Sequence, residues 1–184
     1  MAFGAMVTGR PVCSSIWVSG IRGGDHYGID LPAGLPLVAV RDGDEIMNEP
    51  RNLSIDGDRL WDSLMEMAKI GPGVAGGNRR LALTDEDREG RDLFVSWCEA
   101  AGCTVRVDAM GNIFARRAGR DDNLPPVVTG SHLDTQPTGG KFDGVYGVLA
   151  GLEVIRSLND MAYETDHPIE VVCWTNEEGS RFAP

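Results

Sequence analysis

The sequence predicts an α/β fold in which a partly parallel sheet is flanked by helices. From about Asn52 onward, segments with the period of amphipathic helices alternate with short apolar segments typical of strands. This alternation favours a layered fold whose sheet contains parallel neighbours. With 184 residues, of which 42% are hydrophobic, the chain is long enough to bury one core of ordinary size.

Residues 1–50 have a different character from the rest of the chain. Gly and Pro are frequent among them, and neither a helical nor a strand period is sustained. We therefore expect residues 1–50 to form an irregular N-terminal extension of unknown role, with one or two short strands.

Two helices are predicted in the segment that follows this extension. Leu60, Leu64 and Met67 share one helical face, and Gly71-Pro72-Gly73 is expected to stop that helix. The second helix begins after Thr84, a good N-cap, and carries three acidic residues in its first turn, where the helix dipole favours them.

The pattern then predicts a hairpin and a third helix. Two alternating segments surround a Gly-Asn turn at 111–112, which is typical of a β-hairpin. In the third helix, Val148, Leu152 and Ile155 form the buried stripe, and Gly147 and Gly151 allow close packing on the sheet.

Composition excludes several classes of partner. The net charge is −11 without any run of Lys or Arg, so neither nucleic acid nor an anionic membrane is an expected partner. No apolar run approaches 18 residues, and the first residues lack the features of a signal peptide. The four cysteines lack metal-binding or disulfide spacing, which fits free thiols in the reducing cytoplasm.

Charged loops follow two predicted apolar strands, Val127–Val128 and Ile169–Trp174. Ligands of open α/β sheets bind beyond the carboxyl ends of the strands. The first loop carries His132, Asp134 and Asp143, and the second carries Glu177, Glu178 and Arg181.

These residue types favour a metal site. Carboxylates that converge repel one another, which raises the free energy of the folded chain, and a bound divalent ion removes that repulsion. A ligand set of His and carboxylates suits Zn²⁺, Mn²⁺ or Co²⁺. His132 offers a neutral nitrogen, and the Asp134 side chain is expected to hydrogen-bond the other ring nitrogen. Asp143 could bridge two ions. Of the adjacent Glu177 and Glu178, one can bind metal while the other serves as a base.

An ordinary structural interpretation competes with this one for each residue taken singly. A lone His in a loop is more often a hydrogen-bonded residue than a ligand, and an acidic turn is usually only solvated. The joint placement of His132 and four carboxylates at two neighbouring strand ends is what favours the metal site.

The same segments also resemble a known family. "GSHLDTQPTGGKFDGVYGVLAGLEVIR" followed by "TNEEGSRF" resembles the M20-type metallohydrolases, and "DREGRDLF" and "DAMGNIFARRAG" extend the likeness. The branch that it resembles most comprises N-carbamoyl-L-amino-acid hydrolases, β-ureidopropionases and allantoate amidohydrolases.

The resemblance implies a site with two divalent metal ions, Zn, Mn or Co. His132 would bind one ion, Asp143 would bridge both ions, and Glu178 would bind the other. Glu177 would act as the general base, and Asp134 would orient His132.

The resemblance also implies a domain assignment. Residues 51–184 would be the first part of a di-metal, aminopeptidase-like catalytic domain, whose lid and dimerisation domain lie in later sequence. The full-length form would be a homodimer. We expect the 184-residue chain alone to bind metal weakly and to show negligible turnover.

The implied reaction is hydrolysis of linear C–N bonds in small-molecule N-carbamoyl amino acids or related ureido acids. Glu177 would take a proton from the attacking water and deliver it to the leaving amine. Two alternatives remain open at this point. One is an M20-type aminopeptidase or N-acyl amino acid deacylase, and the other is a truncated chain without catalytic activity.

Overall fold

The computed structural model describes residues 54–182 and four short strands nearer the N-terminus. These strands are β1 (Ser15–Ser19), β2 (His26–Asp30), β3 (Arg41–Asp42) and β4 (Glu45–Ile46). β1 pairs antiparallel with β2, and β3 pairs antiparallel with β4. The sequence predicted only one or two strands here, because pairs as short as β3 and β4 leave no periodic pattern. The rest of the predicted extension lies outside the described residues.

The chain divides into two compact units, residues 1–55 and residues 56–184. The second unit contains α1 (Gly57–Met67), α2 (Asp85–Ala100), β5 (Thr104–Val107), β6 (Ile113–Arg117), β7 (Val127–His132), α3 (Val145–Asp160) and β8 (Ile169–Trp174). Its four strands form one sheet in the order β5-β6-β8-β7. β7 runs parallel to β8, and the other two pairs are antiparallel. The predicted partly parallel α/β fold is confirmed.

The first two helices begin at side-chain caps. The Asp56 carboxylate accepts a hydrogen bond from the Arg59 N–H at 2.9 Å at the start of α1, and Thr84 caps α2 as predicted. α1 ends at Met67, before the predicted stop at Gly71. The helix ends early because of a tertiary contact: Nδ2 of Asn78 donates hydrogen bonds to backbone carbonyls in the segment that follows the helix.

α3 packs directly on the parallel pair of strands. Its predicted stripe of Val148, Leu152 and Ile155 is completely buried. A Cβ atom at Gly147 would lie 2.8 Å from the Cβ of Ser131 on β7, so only glycine permits this approach without a shift. The helix therefore fixes the position of β7 and of the loop that follows it. Within residues 54–182, no helix has the length and apolar character needed to cross a bilayer.

Candidate metal site

The parallel pairing of β7 with β8 places two loops side by side. His132 is the last residue of β7, and it lies opposite Trp174, the last residue of β8. Both strands therefore reach their carboxyl ends at the same edge of the sheet. As the sequence predicted, the loop after β7 and the loop after β8 meet at this edge.

The imidazole of His132 is buried and held in one orientation. Its Nδ1 lies 2.8 Å from the backbone oxygen of Asp134. Because a carbonyl oxygen only accepts hydrogen bonds, Nδ1 is the donor in this contact, and Nε2 is the ring nitrogen that a metal ion would use. That nitrogen is 3.3 Å from Oε2 of Glu177. The ring thus presents a metal-binding nitrogen towards the loop after β8.

Gly144 makes room for the ring of His132. Gly144 has φ +67°, and a Cβ atom built there would lie 2.4 Å from Cε1 of His132. Both the backbone conformation and the missing side chain are therefore required at this position. The sequence analysis did not identify this contact.

Asp134 acts differently from the sequence prediction. We expected its side chain to bond the ring of His132, but Oδ1 lies 3.8 Å from Nδ1, and the backbone oxygen makes that contact instead. The Asp134 carboxylate accepts hydrogen bonds from the N–H groups of Glu177 at 3.3 Å and Glu178 at 3.2 Å. The residue thus orients His132 through its backbone and holds the second loop through its side chain.

Three of the predicted residues form a cluster that fits a metal ion. His132, Asp143 and Glu178 each offer one ligand atom, and these atoms all lie within 4.8 Å of one another. Among the described residues, this is the one group of His, Cys, Asp and Glu with such a spacing. The oriented Nε2 and the two carboxylates match the donor types that Zn²⁺, Mn²⁺ and Co²⁺ take in proteins.

A short segment that the sequence did not single out supports the first loop. Asn78 and Gly139 exchange backbone hydrogen bonds of 2.9 and 3.1 Å, and the N–H of Thr135 donates to the oxygen of Arg80 at 2.7 Å. The side chain of Arg80 is completely buried, and its Nε donates to the Leu133 oxygen at 3.2 Å. Burial lowers the pKa of this guanidinium. No periodicity or motif in the sequence marks these contacts.

The loop after β8 contains a strained residue and a basic side chain. Asn176, which precedes the two glutamates, has φ +58°, a conformation that is uncommon outside glycine. Arg181, predicted within the same charged loop, lies outside the cluster. Its Nη1 donates to the Ala82 oxygen at 2.8 Å, so it anchors the end of the loop.

The described cysteines lie in the core. Cys98, Cys103 and Cys173 are free and buried, as expected for thiols without disulfide spacing. Burial raises the pKa of Cys173 to about 12, which keeps this thiol protonated. The fourth cysteine, Cys13, lies outside the described residues.

Part of the chain matches the model of a known protein family. Residues 128–183, which contain all five predicted site residues, match the model of Peptidase family M20/M25/M40. The resemblance to M20-type metallohydrolases that the sequence indicated is thereby confirmed. The matched segment begins in β7 and runs through both loops.

Individual proteins are similar to this chain over a longer segment than the family model. The N-carbamoyl-L-amino-acid amidohydrolase of Rhizobium meliloti is 66% identical over 133 residues, which are 72% of this chain and 32% of that protein. A ureidoglycolate hydrolase of Arabidopsis thaliana is 37% identical over 136 residues, covering 74% of this chain and 29% of the relative. A hydantoinase/carbamoylase family amidase from Burkholderia ambifaria superposes with a TM-score of 0.71 at 68% identity, over 72% of this chain and 33% of that one.

Each match covers only part of the similar protein. The chain spans about a third of the length of each relative and corresponds to its N-terminal part. The residues described above therefore represent one part of the longer proteins that it resembles.

Proposed function

We propose that this chain provides one part of a metal-dependent amidohydrolase that cleaves the C–N bond of N-carbamoyl amino acids. The observation that carries the proposal is the cluster of His132, Asp143 and Glu178 at the end of the parallel strand pair. The names of the relatives supply the substrate class. We also propose residues 51–184 as the N-terminal part of the catalytic domain.

The cluster suits two divalent ions, with Zn, Mn and Co as the candidates. In this arrangement His132 would hold one ion, Glu178 would hold the other, and Asp143 would contribute to both. Support comes from the close approach of the three ligand atoms and from the fixed tautomer of His132. Further ligands for each ion would come from outside the described residues, since catalytic zinc has about three protein ligands.

Glu177 is the proposed general base. Divalent metal in such a site supplies Lewis acidity, which polarises a carbonyl oxygen and makes water more acidic. Because the Glu177 side chain is 54% exposed, solvent reaches its carboxylate. The same carboxylate lies beside Nε2 of His132. Its carboxylate accepts a proton from the attacking water and delivers it to the leaving nitrogen as the C–N bond breaks.

Each carboxylate of the Glu177–Glu178 pair has a distinct environment. Oε2 of Glu178 accepts a hydrogen bond from Nε2 of Gln136 at 2.9 Å, which fixes that side chain at the cluster. Within the described part of the chain, Glu177 is held through its backbone N–H and its approach to His132. The difference supports a ligand role for Glu178 and a proton-transfer role for Glu177.

The test uses a chimera in which the matching part of this chain replaces the corresponding third of the Rhizobium meliloti relative. Ammonia release is measured with an N-carbamoyl amino acid and with ureidoglycolate, and release of free amino acid is measured with an N-acetyl amino acid and with a dipeptide. Glu177→Gln should lower kcat about 10²–10⁴-fold with its metal content unchanged. Glu178→Gln should instead lower the metal content.

Three results would contradict parts of the proposal. If the two substitutions gave the opposite pattern, the base and the ligand would be exchanged. Preference for the N-acetyl amino acid or the dipeptide would favour the deacylase or aminopeptidase alternative. A chimera that keeps its metal and its activity after His132→Ala would remove the proposed site altogether.

A further inference from the structure

We propose that Asn112, at the turn of the β5–β6 hairpin, is a positioning residue for the two glutamates of the candidate site. The inference rests on the proposed function, because it assigns a role towards the metal ligand Glu178. Asn112 belongs to a different element from either site loop. It acts on the loop after β8 through Thr175, the first residue beyond that strand.

A hydrogen bond joins the hairpin to the site loop. The N–H of Thr175 donates to Oδ1 of Asn112 at 2.9 Å, across 63 positions of sequence. β8 ends at Trp174, so this is where the chain leaves the sheet. Asn112 therefore fixes the point from which the loop starts.

The amide of Asn112 is itself held in one orientation. Its Nδ2 donates to Oδ2 of Asp108 at 3.0 Å, and its backbone N–H donates to Oδ1 of the same residue at 2.9 Å. Because Asp108 takes the amide nitrogen, the amide oxygen must point the other way, towards Thr175. The side chain is thus oriented before the loop meets it.

Two further groups surround Thr175. Nη1 of Arg91, from α2, donates to Oγ1 of Thr175 at 3.2 Å, and Nη2 of the same arginine donates to the Gly111 oxygen. Gly111 has φ +85°, and a Cβ atom there would lie 3.3 Å from Oγ1 of Thr175. The turn and α2 thereby hold this residue from two sides.

The loop after β8 consequently has an anchor on each side of Asn176. Thr175 is fixed by Asn112, and the N–H groups of Glu177 and Glu178 are fixed by Asp134. The strained Asn176 lies between the two anchors. Loss of the first anchor allows Asn176 to relax, and the ligand oxygen of Glu178 then moves away from His132.

The experiment measures Mn²⁺ binding by the 184-residue chain, using the electron paramagnetic resonance signal of free Mn²⁺, which reports weak binding. Asn112→Ala should weaken binding about tenfold, the lower end for residues that orient metal ligands. Amide hydrogen exchange at Thr175 should become faster in the same variant, while exchange at Val171 within β8 stays unchanged. A purely structural role would not produce this local pattern at temperatures well below unfolding.

The matched control is Asn123→Ala. Nδ2 of Asn123 also donates to an aspartate, Asp121, at 3.0 Å, but the pair lies in an exposed loop before β7. Its Mn²⁺ binding should equal that of the unmodified chain. If Asn112→Ala does not fold, Asn112→Ser, whose side chain is too short to reach the Thr175 N–H, should weaken Mn²⁺ binding in the same direction.

Glu178→Gln separates failure of this inference from failure of the proposed function. If Glu178→Gln weakens Mn²⁺ binding while Asn112→Ala and Asn112→Ser leave it unchanged, the positioning role is wrong and the metal site stands. If the chain binds no Mn²⁺, or binds it equally after Glu178→Gln, both the metal site and the positioning role are wrong.

Discussion

Two groups of acidic residues within residues 56–184 differ in whether a basic side chain pairs with them. On α3, the completely buried Glu153 accepts hydrogen bonds from Nε and Nη2 of Arg59 at 3.0 and 2.8 Å, and Asp160 pairs with the same arginine. At the strand ends, none of the ion pairs among the described residues joins Asp143 or Glu178 to Lys or Arg. Arginine pairs with the first group, whereas within the described part of the chain no Lys or Arg pairs with the two site acids.

The difference indicates what each group does. An arginine supplied by the fold neutralises Glu153, so that this acid contributes to the packing of α1 on α3. Acids that converge without such a cation raise the free energy of the folded chain unless a cation binds. An acid cluster at Asp143 and Glu178 without a basic partner among the described residues fits the proposed metal site. Substitution should therefore change stability at the first group and metal binding at the second.

The largest expected effect is on stability at the arginine-paired group. Arg59→Met leaves the buried Glu153 carboxylate without its main partner, which should lower the free energy of unfolding by about 3–5 kcal/mol. Urea denaturation measures this change. Asp160→Asn, which removes the exposed partner of the same arginine, should cost less than about 1 kcal/mol. Equal effects of the two substitutions would refute the buried-pair explanation.

Gly144→Ala should affect stability and metal binding together. The added methyl group meets the ring of His132, and φ +67° disfavours any side chain, so we expect a loss of about 1–3 kcal/mol. Displacement of the ring should also weaken Mn²⁺ binding. Gly140→Ala is the control in the same loop, because a Cβ there has no neighbour within 4 Å. Unchanged Mn²⁺ binding in Gly144→Ala would show that the ring position does not matter.

Asp134→Asn should weaken metal binding with a smaller effect on stability. Its carboxylate accepts from two N–H groups, and an amide has only one acceptor oxygen, so one loop contact is lost. Residues that orient ligands typically contribute about 10–100-fold to metal affinity. The control is Asp122→Asn, whose carboxylate accepts from the N–H of Gly119 in the loop that precedes β7, whereas the site follows the other end of that strand. Metal affinity that falls equally in both variants would contradict a specific role of Asp134.

The smallest effect concerns Asp87, a buried acid at the start of α2. Its Oδ2 accepts from the Leu83 N–H at 2.9 Å, and burial raises its pKa. A carboxyl group whose pKa is raised by folding stabilises the folded chain at pH values below its pKa in the unfolded state, which is about 3.9. This contribution is lost as the pH rises through the pKa of the folded state.

Asp87→Asn keeps the acceptor and removes the charge. The stability of this variant relative to the unmodified chain should therefore increase as the pH rises above about 4. Urea denaturation between pH 3.5 and 7 measures the difference. A difference that does not depend on pH would contradict the raised pKa.

Local signals explain why much of the fold was predictable. Leu60, Leu64 and Met67 mark one face of α1, and Thr84 caps α2. Each signal acts within a single helix, so the sequence alone identifies both helices. The convergence of the site also followed from sequence, because parallel strands such as β7 and β8 end at the same edge. The resemblance added the separate roles of Glu177 and Glu178, which remain predictions.

The contacts that sequence analysis missed are long-range. Arg80 reaches Leu133 across 53 positions, and Asn112 reaches Thr175 across 63 positions. Neither contact follows from a period, a cap or the spacing of a motif. The expected role of the Asp134 side chain was wrong for a related reason. The backbone oxygen of Asp134 was already close enough to His132, which left the carboxylate to hold a loop more than 40 positions later.

The most direct test of the account observes the histidine nitrogens themselves. The chain has only three histidines, so ¹⁵N-histidine labelling gives three resolvable rings in a nuclear magnetic resonance titration with Zn²⁺. We predict that Nε2 of His132 shifts on addition of Zn²⁺ while its Nδ1 stays protonated, and that His26 and His167 do not change. A spectrum in which His132 is unaffected, or in which Nδ1 is the nitrogen that binds Zn²⁺, would contradict the proposed metal site.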